Sequence, residues 1–197
     1  MRQFLDLGSG IPTVGNVHEI VARATPDGRV VYVDIDPVAV THAQQLLAGD
    51  EHTAVVQHDL RNPGKVLADQ QLRSILDLSQ PVAMLAVAVL HAVGDQDDPA
   101  GIMARYREAL PAGSYLVIAH GTDEARREQA HRVVDLSKQT PTPMTARSRG
   151  EIARLFDGFE LVEPGLVWAP LWRPDSPHQV PEHPEYAGNL VGVGRRR

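Results

Sequence analysis

Residues 4–16, FLDLGSGIPTVGN, decide how the rest of the chain is read. The apolar run up to Leu7 has the continuous character of a strand buried on both faces, and Gly8 and Gly10 end it in a turn. Without Cβ atoms these glycines let the main chain approach a ligand and adopt conformations that other residues avoid. A strand that feeds such a turn and then a helix is the opening unit of a parallel sheet covered by helices.

The pattern repeats along the chain. Strands are expected at Gln3–Leu7, Val30–Asp34, Ala54–Gln57, Val82–Val89 and Tyr115–Ala119. A first helix starts near Asn16, where Asn16 and Glu19 stand at the spacing of a cap and its reciprocal partner, and stops before the turn Pro26-Asp27-Gly28. A second follows Pro37 and carries Val40, Ala43, Leu46 and Leu47 at helical spacing; Asp36 reads as its cap. Further helices are expected over Gly64–Leu78, Pro99–Leu110 and Thr122–Lys138. Ser148 and Glu151 form a capping-box spacing that opens a short helix to Asp157. Phe159–Leu171 and Leu190–Arg195 read as two late strands, joined by the proline-rich loop Arg173–Gly188. Five β/α alternations and a terminal strand pair predict one α/β domain over residues 1–197.

In such a sheet ligands sit beyond the carboxyl ends of the strands, where strand order reverses. A dinucleotide site asks for Gly-x-Gly-x-x-Gly, so that a helix N-terminus meets the pyrophosphate. Here the third glycine position is Thr13, the next glycine is Gly15, and Pro12 intervenes, so that fingerprint is broken. Gly64-Lys65-Val66 lacks the hydroxyl and the preceding strand of a triphosphate loop. The next strand ends carry acids instead. Asp34, 26 residues after Gly8, is placed to accept from both hydroxyls of a ribose. Asp59, 25 residues further on, suits an adenine amino group, with Leu60 as an apolar neighbour to the ring. Each acid alone is more often a loop carboxylate or a helix cap. Three successive strand ends bearing Gly-x-Gly, acid and acid argue for a ligand.

On these residues the chain resembles class I methyltransferases that use S-adenosylmethionine, through FLDLGSG (4–10), VYVDIDP (31–37) and QHDL (57–60). More narrowly, RQFLDLGSGIPTVGNVHEI (2–20), VAVLHAVGDQDDPAGI (87–102) and SRGEIARLFDGFELVEPGLVWAPLWRPD (148–175) are similar to an actinobacterial family of such enzymes with no identified substrate. The resemblance spans essentially the whole chain. It implies a Rossmann-like sheet of order 3-2-1-4-5-7-6, the last strand antiparallel, with helices on both faces. It further implies that Asp6, Gly8 and Gly10 face the methionine part of S-adenosylmethionine, Asp34 its ribose, and Asp59 and Leu60 its adenine. Val89, Leu90 and His91 would line the methyl-donor side, and the Ile11–Gly15 loop would be this family's version of the turn. Class I enzymes usually carry helices before the first strand; with the first strand at Gln3, a domain without that lid is expected.

Methyl transfer from a sulfonium is an in-line displacement, and a base is needed only if the acceptor must lose a proton. His91-Ala92-Val93-Gly94-Asp95 stands after the fourth strand in place of an Asn/Asp-Pro-Pro-Tyr motif, which disfavours methylation of an amide or exocyclic nitrogen. His91 is the first candidate for the base, since histidine titrates near neutrality, and His120 after strand five is the second. The competing reading for each is a hydrogen-bonded wall residue. His18 with Glu19 and the loop residues His178 and His183 do not form a metal-ligand pattern, so no metal is expected. Trp168 and Trp172 either flank a small acceptor or pack over the sheet edge.

Zero cysteines exclude disulfides and a thiolate nucleophile and fit a reducing cytoplasm. A net charge of −6 argues against nucleic acid as the main partner, and the basic run Arg195–Arg197 reads as a solvated tail. No apolar stretch is long enough for a membrane span, and no leader pattern opens the sequence. The expectation is therefore a cytoplasmic methyltransferase acting on a small-molecule acceptor. Its alternatives are an inactive module that binds S-adenosylmethionine or S-adenosylhomocysteine, and a nicotinamide-dependent oxidoreductase. Association of two copies through the first-strand region would make a homodimer.

Overall fold

The computed structural model describes residues 1–13, 15–140 and 142–197; Val14, within the Ile11–Gly15 loop, lies outside the described residues. Eight strands form one sheet: β1 (Gln3–Leu7), β2 (Arg29–Asp34), β3 (Thr53–Gln57), β4 (Ala83–Val87), β5 (Tyr115–Gly121), β6 (Glu160–Leu161), β7 (Val167–Trp168) and β8 (Asn189–Arg195). Their order is β3-β2-β1-β4-β5-β8-β6, with β7 also pairing β8. The first five strands are parallel, and β8 runs antiparallel between β5 and the short strands β6 and β7. That is the expected order, with β8 in the place of the seventh strand.

The extra strand comes from a break in Phe159–Leu171. Pro164 has no N–H to give a ladder, and Gly165 at φ +88° turns the chain back so that its N–H meets the Val162 carbonyl at 2.8 Å. The remainder, Ala169–Leu171, is a 3-10 turn rather than strand. Arg173–Gly188 likewise holds two 3-10 turns, Pro177–Gln179 and Pro184–Ala187.

Seven helices connect the strands: α1 (Val17–Ala24), α2 (Pro37–Leu46), α3 (Pro63–Ala68), α4 (Gln70–Ile75), α5 (Pro99–Ala109), α6 (Arg127–Ser137) and α7 (Arg149–Arg154). Asp36 caps α2 by accepting from the Val38 N–H, and Ser148 and Glu151 make the full reciprocal box at α7. The helix expected over Thr122–Lys138 begins only at Arg127, the strand expected over Val82–Val89 spans Ala83–Val87, and two further expectations are corrected. Gly64–Leu78 is two helices, because Asp69 leaves the helical region (ψ 130°) and its carboxylate caps α4 through the Gln71 and Leu72 N–H groups. Asn16 precedes α1 but makes no side-chain cap. Its amide instead accepts from the Thr13 N–H and donates to Glu19 Oε1. The C-terminal basic run is solvated at Arg195 and Arg197, as expected, but it is no free tail: Arg195 closes β8, the Arg196 guanidinium donates to the Arg107 carbonyl, and Arg197 pairs with Glu160.

Alternation along the strands divides the core. In β2, Val30 and Tyr32 pack with Val21 of α1 and with Val40 and Ala43 of α2. Val31 and Val33 point the other way, into the larger cluster with Leu72 of α4 and Met103 of α5. Both faces of the sheet are thereby covered. Among the described residues no helix is long and apolar enough to cross a membrane. What matters for function is the neighbourhood of β1, which pairs β2 on one side and β4 on the other, so strand order reverses there.

Candidate functional site

Beyond the carboxyl ends of β1, β2, β3 and β4 lies a cavity of ≈ 790 Å³ whose lining includes Gly8, Asp34, Asp59, Leu60 and Val89. The first turn is built by main-chain contacts. Gly8, at φ +71°, donates to the Val33 carbonyl at 2.7 Å, and Ser9 adds a longer bond to the same oxygen at 3.3 Å. A Cβ on Gly8 would stand 2.1 Å from Val89 Cγ2, so glycine is required there by the approach of β1 to the end of β4. Gly10, at φ +65°, donates to Asp34 Oδ2 at 2.7 Å, and the Asp36 N–H donates to Asp34 Oδ1 at 2.9 Å. The Asp34 carboxylate thus ties the two turns together. With about four lone-pair sites on a carboxylate, it keeps further acceptor capacity toward the cavity.

Asp6, in β1, is only 9 % exposed. Burial, with the nearby Asp34 charge adding to it, raises its carboxyl to about pKa 7. It makes no side-chain hydrogen bond among the described residues. Asp59 is held differently. The Arg61 guanidinium binds both its oxygens (2.7–3.0 Å) and reaches Asp97 at 3.3 Å. Burial pushes Asp59 up, but the hydrogen bonds and charge of Arg61 outweigh it and hold the carboxyl below its ordinary range.

The end of β4 parts two cavities. Ala88 takes a left-handed conformation at φ +54°, and Val89 follows at φ −123°, ψ −37°. This twist directs Val89 into the first cavity, while Ala88 and His91 line a second of ≈ 380 Å³ with Ala119, His120 and Tyr186. The non-glycine left-handed residue is a point of backbone strain held by its surroundings. Leu90 between them is fully buried in the main core and lines neither cavity. Val134 of α6 and the segment Met144–Ala146 form a wall common to both.

One residue that carries this region has no motif in the sequence. Arg147 is 3 % exposed, and its guanidinium donates to the Leu90 carbonyl (2.9 Å), the Val93 carbonyl (2.7 Å), Asp95 Oδ1 (2.7 Å) and His120 Nε2 (2.8 Å). Because Nε2 accepts from Arg147, His120 must be the tautomer that donates from Nδ1, which meets the Gly121 carbonyl at 2.7 Å. Both nitrogens of His120 are therefore engaged. Burial lowers His120 to about pKa 4, against the Gly121 hydrogen bond, and the Arg147 and His91 neighbours add to the fall. His91 differs. Burial and then the Arg147 charge lower its pKa, its ring stands edge-on to His120 at 6.0 Å, and its nitrogens make no hydrogen bond among the described residues.

The other sequence candidates lie apart from both β4 cavities or on their rim. Trp168 packs on the core with Arg149 5.5 Å over its ring, and Trp172 carries Arg173 at 5.0 Å. His183 pairs with Glu185 and stacks on Tyr186. Among the described residues no group of three or more His, Asp or Glu side chains could hold a metal ion.

The charge of the first cavity is lopsided. Asp34, Asp36, Asp59, Asp97 and Asp123 all line it. Its cations are engaged, Arg61 with two of those acids and Lys138 with Asp135 at 2.8 Å. A ligand carrying positive charge and hydroxyl donors suits this set of acceptors. A pyrophosphate, which needs N–H donors or free cations, does not.

With that geometry in hand, the comparisons are direct. A family model described as S-adenosyl methyltransferase matches residues 1–197. A DUF574 family protein from Streptomyces avermitilis is 40% identical, with a TM-score of 0.94 covering 100% of this chain and 76% of that one. A candidate methyltransferase from Thermobifida fusca is also 40% identical, with a TM-score of 0.93 over 100% of this chain and 74% of that one. At 18% identity, a TehB-like SAM-dependent methyltransferase from Corynebacterium glutamicum shares the fold, with a TM-score of 0.59 over 100% of this chain and 80% of that one. No curated protein sequence matches the chain.

Proposed function

The chain belongs to the S-adenosyl methyltransferase family, and from that premise we propose that its ≈ 790 Å³ cavity holds S-adenosylmethionine and that the protein methylates a small-molecule acceptor. The observation that carries the reading is the acceptor set: carboxylates at successive strand ends with no free cation among the described lining residues. S-adenosylmethionine brings a sulfonium, an ammonium and two ribose hydroxyls, and it supplies a methyl group already activated for displacement. A dinucleotide would set two phosphates against the same carboxylates, which counts against the oxidoreductase alternative.

Within this reading, Asp34 accepts from the ribose hydroxyls while its other lone pairs hold the Gly10 and Asp36 amides. Asp59, fixed by Arg61, and Leu60 border the adenine, and Gly8 and Val89 form the floor beneath the reacting sulfur. Asp6, in β1 and not among the described lining residues, acts on the ammonium through its buried charge. His120, with no free nitrogen, is a wall residue that orients Arg147.

Two tests follow. Asp34→Ala should weaken S-adenosylhomocysteine binding by roughly 1.5–3 kcal/mol, about tenfold to a hundredfold, in a calorimetric titration. An unchanged Kd places the ribose elsewhere. The second concerns pH. Asp6 titrates near 7 in the free protein, and a cationic ligand favours its ionised form. Affinity for S-adenosylhomocysteine should therefore rise as pH climbs from 6 to 8, by about tenfold in total. Asp6→Asn should flatten that profile; a slope that persists in the variant assigns the dependence to another group.

A further inference from the structure

The second cavity differs from the first in every respect that matters for an acceptor. It is lined chiefly by small and apolar side chains, among them Ala88, Ala119, Ala130, Val133 and Met144. No Asp or Glu is among its described lining residues. Among its described lining residues the one fixed cation is Arg126, which lies 4.7 Å over the Tyr186 ring at the rim. At ≈ 380 Å³ it sits at the small end of the range for small-molecule sites, about 300–1,000 Å³. It shares a wall with the first cavity through Val134 and Met144–Ala146, and His91 projects into it with both ring nitrogens unengaged among the described residues.

We infer that this cavity takes a planar aromatic acceptor bearing a weakly acidic hydroxyl, and that His91 receives the hydroxyl proton. This deepens the reading above and rests on it. The absence of a carboxylate from the described lining leaves an ammonium-bearing acceptor without a counter-charge, and the Arg126 cation at the rim opposes it further. Ring faces suit the apolar walls, and a developing oxyanion suits that cation. The hydroxyl must be acidic because burial and then the nearby Arg147 charge weaken His91 as a base, and His120 stays neutral and donates nothing to it. A base of that strength reaches a phenol-like proton and not that of an aliphatic alcohol. In the transfer, the acceptor oxygen forms its bond to the methyl carbon as the carbon–sulfur bond breaks. The bonding pair stays on sulfur to give the neutral thioether, and the hydroxyl proton passes to the His91 ring.

The probe is 2-naphthol, a photoacid whose emission moves to the naphtholate band when a neighbouring base takes its proton. It would be titrated into the chain saturated with S-adenosylhomocysteine, beside cyclohexanol and benzylamine. The expected result is 2-naphthol binding at least tenfold tighter than either control, with naphtholate emission from the bound probe. Ala130→Phe should abolish that binding while S-adenosylhomocysteine affinity stays as it was. His91→Gln should keep the probe bound and return its emission to the neutral band. Preference for benzylamine or cyclohexanol, or naphtholate emission that survives His91→Gln, overturns the inference and leaves the cofactor reading intact. Failure of S-adenosylhomocysteine itself to bind brings down both.

Discussion

Arg147→Leu should destabilise the fold by about 3–5 kcal/mol, read as a shift in the urea midpoint at constant slope. Leucine removes a guanidinium that is 3 % exposed, leaving the Leu90 and Val93 carbonyls and His120 Nε2 without their donor. Each buried acceptor so orphaned is worth about 1–3 kcal/mol. Arg147→Lys should recover only part of the loss, because a single ammonium cannot span three carbonyl and ring acceptors fixed by a planar fork. The Asp95 contact contributes little to this total: the Asp95 side chain is 75 % exposed, and Asp95→Asn should change stability by less than about 1 kcal/mol. A loss under 1 kcal/mol in Arg147→Leu would mean that these hydrogen bonds do not hold the segment after β4. The same variant removes the cation beside His91 and His120, so both rings should titrate at higher pH than in the parent protein.

Arg147 also marks where sequence reasoning stops. The strands were legible because they are buried on both faces and read as uninterrupted apolar runs, and the positions of Asp34, Asp59 and Leu60 followed from strand ends alone. The two breaks that escaped notice have local causes. Asp69 looks like a solvent-facing residue within one long helix, and only its ψ of 130° makes it the cap of a second. Pro164 and Gly165 punctuate a strand that apolar spacing alone carries through. Arg147 has a deeper one: two of its partners are main-chain carbonyls 57 and 54 residues earlier, and a carbonyl acceptor leaves no trace in residue identity. Leu90, expected on the methyl-donor side, lines neither cavity for a related reason. The left-handed turn at Ala88 sets which of Ala88, Val89, Leu90 and His91 faces which side, and nothing in VAVLHA announces a positive φ at an alanine.

Gly8→Val should destabilise the protein by on the order of 4 kcal/mol and abolish S-adenosylhomocysteine binding, for two separable reasons. At φ +71° any side chain meets its own carbonyl, which costs about 1–2 kcal/mol. The Cβ would also stand 2.1 Å from Val89 Cγ2 and 2.6 Å from Val89 Cβ, and relief can come only by moving the end of β4. Val89 lines the first cavity, so it is pushed into the space proposed for the cofactor. The separation is made with Gly8→Ala, Val89→Gly and the double variant, since an alanine at 89 would keep the Cβ that stands 2.6 Å away. If Val89 is what the new Cβ meets, the pair should couple by about 1–2 kcal/mol, the double variant regaining the steric part of the loss and keeping the backbone part. Binding should return with it, because a glycine at 89 removes both atoms the new Cβ would meet and clears the proposed cofactor space. Strict additivity, or recovered stability without recovered binding, would show that Gly8 is required by the turn alone and not by the approach of β1 to Val89.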